Sequence, residues 1–80
     1  MTERLDEKLK VARIVLEKLV DGDMRWTPLM KATLGDSGTP STFRTIVDWL
    51  LVHRYVTRPS RGIYRITGKG RSFLKVLDSS

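Results

Sequence analysis

Apolar residues return at steps of three and four through the first quarter of the chain: Leu5, Leu9, Ala12, Leu16 and Leu19, with Ile14, Val15 and Val20 widening the stripe. That spacing predicts an amphipathic helix over residues 3–20. Thr2 suits its N-cap, and Glu3, Asp6 and Glu7 favour the positive end of the helix dipole. Asp21-Gly22-Asp23 ends it, with Gly22 expected as a left-handed cap. Residues 24–27 read as a short extended connector. Thr27-Pro28 then starts a short helix that stops at Gly35, threonine as cap and proline in the first turn. Residues 35–39, Gly-Asp-Ser-Gly-Thr, make a tight polar turn, and Thr39-Pro40 repeats the start signal. The next helix, residues 40–54, carries a buried stripe of Phe43, Ile46, Val47, Leu50 and Leu51. Its other face is Ser41, Thr42, Arg44, Thr45 and Asp48.

Beyond Arg54 the period changes from helical to two. Residues 55–58 and 63–66 are rich in β-formers and flank Pro59-Ser60-Arg61-Gly62, which predicts a hairpin over 55–66 with a four-residue turn. Alternation sends Tyr64 and Ile66 inward and Ile63 and Arg65 outward. Thr67 caps a last helix, roughly 68–77, whose Phe73, Leu74 and Leu77 close over the core, while Gly68 and Gly70 weaken its first turn. The predicted class is α+β, in one domain over residues 1–80: helix, short helix, turn, long helix, two-stranded hairpin, helix. Two consecutive helices joined by a glycine-containing turn describe a helix-turn-helix, and a hairpin after the second adds a wing.

Charge sharpens this outline. The net charge is +6, and its distribution is uneven. Residues 1–24 hold five basic residues and six acids, for −1. Residues 25–80 hold ten basic residues against Asp36, Asp48 and Asp78, for +7. No acid falls between Asp48 and Asp78. A concentrated positive field attracts polyanions, nucleic acid before anionic membrane, although a high pI also serves solubility alone. The chain has no cysteine, so neither a disulfide nor a thiolate metal site is expected. No apolar run approaches the roughly 18 residues of a membrane span. The mixed charges of the N-terminus suit neither a signal nor a transit peptide, so a cytoplasmic, non-membrane protein is expected. His53 stands alone, and no Ser/His/Asp set or paired carboxylates present themselves. No enzyme activity, metal, cofactor or small-molecule effector is expected. "GKG" at 68–70 lacks the full spacing of a phosphate-binding loop.

The stretches "STFRTIVDWLLVHRYVTR" and "YRITGKGRSFL" resemble the small winged helix-turn-helix regulators common in archaea and in their viruses and plasmids. The resemblance covers roughly residues 8–77, and the Tyr64–Gly70 match carries the winged architecture. It implies a sequence-specific, double-stranded-DNA-binding transcription regulator, working as a homodimer. Many relatives extend the last helix into a dimerising coil; here the sequence stops at Ser80, so another surface is expected to serve.

In such an architecture the helix at 40–54 is the recognition helix and lies in the major groove, which makes Thr39, Ser41, Thr42, Arg44 and Thr45 the base- and phosphate-contacting residues. Arg44 has the chemistry to take guanine O6 and N7 together. Arg58, Ser60 and Arg61, at or near the tip of the wing, are expected on the backbone or in the minor groove. Charges there also discourage strand-to-strand aggregation. Lys69 and Arg71 open a helix against its dipole, which fits phosphate contact, and Lys31 is a further backbone candidate, as are Arg25 and Arg54. Trp26 and Trp49 read as structural, Trp49 either lying against the first helix or marking a protein contact. The alternative is a winged-helix protein-interaction module in a larger assembly, which the fold also serves.

Overall fold

The computed structural model describes residues 2–34 and 40–79, with side chains from residue 8 onward in the first helix. In chain order these residues form α1 (Thr2–Val20), β1 (Met24–Arg25), α2 (Trp26–Leu34), α3 (Pro40–Val52), β2 (Val56–Ser60), β3 (Ile63–Ile66) and α4 (Gly68–Ser79). The class is α+β, four helices on a small antiparallel sheet of order β1-β3-β2, an arrangement compatible with the winged one expected. Among the described residues no helix is long and apolar enough to cross a membrane. The Thr2 cap, Leu5 and the polar turn at 35–39 lie outside the described side chains and residues.

The core forms where the apolar stripe of α1 meets α2, α3 and the sheet. Leu16, Leu19, Leu29, Phe43 and Leu50 are its largest fully buried side chains. Burying each contributes about 1.5–3 kcal/mol before entropy is charged against it. The α1 stripe is centred on Val11, Ala12, Val15, Leu16 and Leu19, with Leu9 and Ile14 only half-buried. On α3 the expected stripe holds: Phe43, Ile46, Val47 and Leu50 are buried, and Leu51 half-buried. Leu74 is buried on α4, with Phe73 and Leu77 packed against the core's edge.

Three features depart from the sequence reading. First, residues 24–25 are a strand, not a bare connector. Met24 pairs with Tyr64 and Arg25 with Ile63, so β3 is the central strand and Ile63, expected outward, is half-buried. A two-residue strand carries too little pattern to announce itself. Helix α2 accordingly opens at Trp26 rather than at the Thr27-Pro28 signal.

Second, α3 stops at Val52, short of residue 54. Arg54 adopts φ 62°, the Tyr55 N–H donates to the Leu50 carbonyl at 2.9 Å, and the Arg54 N–H donates to the Leu51 carbonyl at 3.1 Å. These are the paired bonds of a Schellman cap, with Tyr55 packing back on Trp49 (ring centroids 5.6 Å) as its hydrophobic contact. Glycine usually fills this left-handed position; arginine gives no sequence signal for it.

Third, the hairpin turn has two residues, not four. Ser60 pairs with Ile63 while Thr57 pairs with Arg65, so Arg58 and Pro59 together oppose Tyr64. This is a β-bulge on an edge strand, a place that tolerates proline's missing N–H. Arg61 and Gly62 make the turn, and Gly62 takes the positive φ, 78°. Gly22, expected as a left-handed cap, has φ 150°, a positive-φ conformation outside that well.

Thr67 does what its position promised, and more. Its Oγ1 accepts the Gly70 N–H at 3.0 Å, capping α4. The same hydroxyl donates to the Arg54 carbonyl at 2.7 Å, and the Thr67 N–H donates to the Tyr55 carbonyl at 3.1 Å. One residue therefore pins the start of α4 to the end of α3.

That junction explains Gly70, which is buried. A Cβ there would collide with the Tyr55 carbonyl oxygen and come within 2.8 Å of Ile66 Cγ1. In an open helix Gly→Ala gains up to about 1 kcal/mol. Here Gly70→Ala is expected to reverse that sign and destabilise by about 1–3 kcal/mol, the usual cost of overpacking. Gly68→Ala, with nothing near its Cβ, is the control. Urea unfolding of both variants checks the sign.

Candidate nucleic-acid interface

Helix α3 presents its apolar stripe to the core, which leaves Ser41, Arg44, Thr45 and Asp48 exposed on the outer side. Thr42, grouped with them by sequence, is half-buried instead, because it borders the Phe43–Ile46 stripe. Thr39 lies outside the described residues. The Thr45 hydroxyl donates to the Ser41 carbonyl one turn back, at 3.0 Å, so its proton is committed to its own helix.

The exposed face divides along its length. On one flank Arg44, Asp48 and Leu51 form a crevice with Trp26 of α2 and with Arg58 and Tyr64 of the hairpin. On the other, Thr45, Ile46 and Trp49 line an apolar crevice with Lys8, Leu9 and Ala12 of α1. The structure thus brings Arg44 and Arg58 together, sets Ser41 on the outer side, and turns Thr45 toward α1. The floor of the first crevice is aromatic. Trp26 meets Phe43 edge-on at 4.8 Å between centroids and Tyr64 at 5.7 Å, so Trp26 is structural, as expected.

On the hairpin, Arg58, Ser60 and Arg61 are all exposed. The sequence placed them at or near the tip, with the arginines beyond the strand proper; Arg58 and Ser60 in fact lie within β2, and only Arg61 is in the turn. The bulge at 58–59 is the reason, since it absorbs Pro59 without ending the pairing. Arg44, Arg58 and Arg61 make no ion pair among the described residues, whereas Arg65 is engaged. Its guanidinium donates to both carboxylate oxygens of Asp23, at 2.9 and 2.8 Å. Extending the β1–β3 register by one residue sets Asp23 directly opposite Arg65, the position where opposite charges pair across strands. The hydrogen bonds from Arg65 hold the Asp23 carboxyl below its ordinary value, against an opposing desolvation that exceeds the direct attraction of the Arg65 charge. They raise Arg65 in turn. The basic run from Arg54 to Arg71 is therefore less positive than its sequence suggests, and the pairing partner came from a turn 42 residues away.

Lys31 is exposed on α2, outside the Arg44–Arg58 crevice. Lys69 is held elsewhere too: its Nζ lies 5.1 Å from the centroid of the Tyr55 ring, and Tyr55 stacks on Phe73 at 4.3 Å. Trp49 and His53 complete this aromatic group at the C-terminal end of α3. A cation over an aromatic face accounts for a lysine in the first turn of α4 without any external anion. Arg71 is exposed and unpaired among the described residues. No group of three His, Asp or Glu among them stands close enough to hold a metal ion. No family model, curated protein or solved structure matches the chain.

Proposed function

We propose that this chain is a sequence-specific, double-stranded-DNA-binding transcription regulator of winged helix-turn-helix type. Helix α3 is its recognition helix, and the β2–β3 hairpin is its wing. One observation carries the reading: two arginines without an ion pair among the described residues, Arg44 on the helix and Arg58 on the hairpin, line one crevice. Helix and hairpin thus offer positive charge on a common side, with the small, exposed Ser41 one turn before Arg44. In the major groove Arg44 takes a guanine edge, while Arg58, Ser60 and Arg61 hold phosphates or the minor groove. A homodimer would read two half-sites about 34–36 Å apart.

Two substitutions separate reading from grip. Arg44→Ala is expected to cost about 1–3 kcal/mol and to relax selectivity at one base pair. Arg61→Ala is expected to weaken binding to all duplexes alike. Fluorescence anisotropy with labelled duplexes of selected and scrambled sequence measures both. Equal losses on both duplexes for Arg44→Ala would remove the base-reading role, and no duplex retention at low ionic strength would remove the function.

A second reading, a protein-interaction module, has its own observation. Trp49 and Val52, three residues apart on α3, are 40% and 76% exposed, and exposed apolar groups on one helix suit a protein partner. Capture of a protein partner without any duplex would decide for it.

A further inference from the structure

Asp48 is the anomaly of the proposed DNA-facing surface. It stands near the middle of the outer side of α3, opposite the buried stripe of Phe43, Ile46, Val47 and Leu50. Aspartate is a poor helix former away from the N-terminus, and this one contributes nothing visible to the fold. It makes no hydrogen bond or ion pair among the described residues, although Arg44 lies four residues earlier on the same helix and Arg58 lines the same crevice. A carboxylate facing phosphates is repelled. The feature of a duplex that welcomes one is a donor on a base edge, and in the major groove cytosine presents its N4 amino group to an acceptor-only side chain.

We propose that Asp48 is a specificity-determining residue that accepts a hydrogen bond from the N4 amino group of a cytosine. The spacing sets where that base lies. Residues four apart on a helix are about 6 Å apart along its axis, and successive base pairs about 3.4 Å. Asp48 therefore reaches a base pair one or two steps from the guanine taken by Arg44. That both side chains lack a partner among the described residues fits this use, since each keeps its hydrogen-bonding capacity for a base. The arrangement also carries its own negative selection: a thymine or guanine at that position leaves the carboxylate facing acceptors or a methyl group, and an adenine offers its N6 donor only beside the N7 acceptor, which repels a carboxylate. This inference rests on the duplex reading above.

The test is selection of bound sequences from a random duplex pool by the wild-type chain, Asp48→Ala and Asp48→Asn, followed by titration of the selected duplexes. The wild type is expected to prefer cytosine at one position, by about fivefold to 150-fold over other bases. Asp48→Ala loses that preference alone, and Asp48→Asn moves it to adenine, whose N6 and N7 suit a carboxamide. Matching urea midpoints show that fold is not the cause, as an unpartnered surface residue leads one to expect. An Asp48→Ala variant that binds every duplex more tightly with unchanged preferences overturns the proposal, leaving the carboxylate a repulsive charge only. A wild type that retains duplex but selects no cytosine near a guanine overturns this inference alone. A wild type that retains no duplex overturns the underlying reading and this inference with it.

Discussion

Replacing Phe43 with alanine is expected to lower the unfolding free energy by about 3–5 kcal/mol. Phe43 is fully buried and sits where α3 turns its apolar stripe inward. It loses not only transfer free energy but also the edge-on contact with Trp26, at 4.8 Å between ring centroids, a geometry worth about 0.5–1.5 kcal/mol beyond area. The site cannot easily collapse, because Leu16, Leu19, Leu29 and Leu50 around the core are equally buried and fixed by their own helices. An 80-residue chain has on the order of 4–12 kcal/mol in total, so the variant keeps a small fraction of its margin or none. Urea unfolding followed by far-UV circular dichroism measures the loss. Ser41→Ala, exposed on the same helix, is the control and should stay within about 0.5 kcal/mol. A loss under about 1 kcal/mol for Phe43→Ala would mean that the base of α3 is not packed as described. The result also bears on function: Trp26 forms part of the crevice that holds Arg44 and Arg58, so the cavity opens directly beneath it.

The helices were legible because their signals are long and redundant. Thirteen residues of α3 repeat one stripe nearly four times, and a single ambiguous position cannot hide it. Local signals with a strong chemical cause were legible as well, such as Thr67 before α4. What escaped were features whose cause lies in another part of the chain. The strand at Met24–Arg25 exists because β3 offers it an edge, and nothing within two residues can say so. The end of α3 rests on an arginine in a glycine's conformation. Gly70 looked like a weak helix start, yet its missing side chain is what lets α4 approach the Tyr55 carbonyl. Pro59 pointed to a turn, where in fact the chain bulges and carries on.

The candidate site shows the same division. Periodicity placed Arg44, Ser41 and Thr45 on the outside of α3, and they are there. Periodicity could not say which flank meets the hairpin, so it grouped Thr45 with Arg44 although the two line different crevices. Counting charges treated the hairpin as uniformly basic. Asp23, from the α1–β1 turn, neutralises Arg65, and only the sheet register reveals it. Lys69 likewise has an internal partner in Tyr55. The cations left to hold phosphate are fewer than the sequence implied, which turns a qualitative statement about charge into a countable one.

That count sets the expected salt dependence of duplex binding. Each phosphate neutralised releases counterions, so the logarithm of affinity falls with the logarithm of salt by about 0.9 per contact. With Lys31, Arg58, Arg61 and Arg71 on phosphates, one protomer gives a slope of about −3.6 and a dimer on two half-sites about −7.2. Between 50 and 200 mM salt these slopes mean losses of roughly 150-fold and roughly 20,000-fold, so one titration series separates the two stoichiometries. Had Arg65 and Lys69 been free to join, the slopes would be steeper by about 1.8 per protomer; their engagement with Asp23 and Tyr55 excludes them from the count. Arg61→Ala should flatten the slope by about 0.9 per protomer. Arg65→Ala should leave it nearly unchanged, because removing Arg65 removes a charge that Asp23 already balances. Anisotropy titrations at four or five salt concentrations supply every slope. A slope near zero would remove phosphate contact as the source of affinity, and a large effect of Arg65→Ala would show that its pair with Asp23 opens on binding.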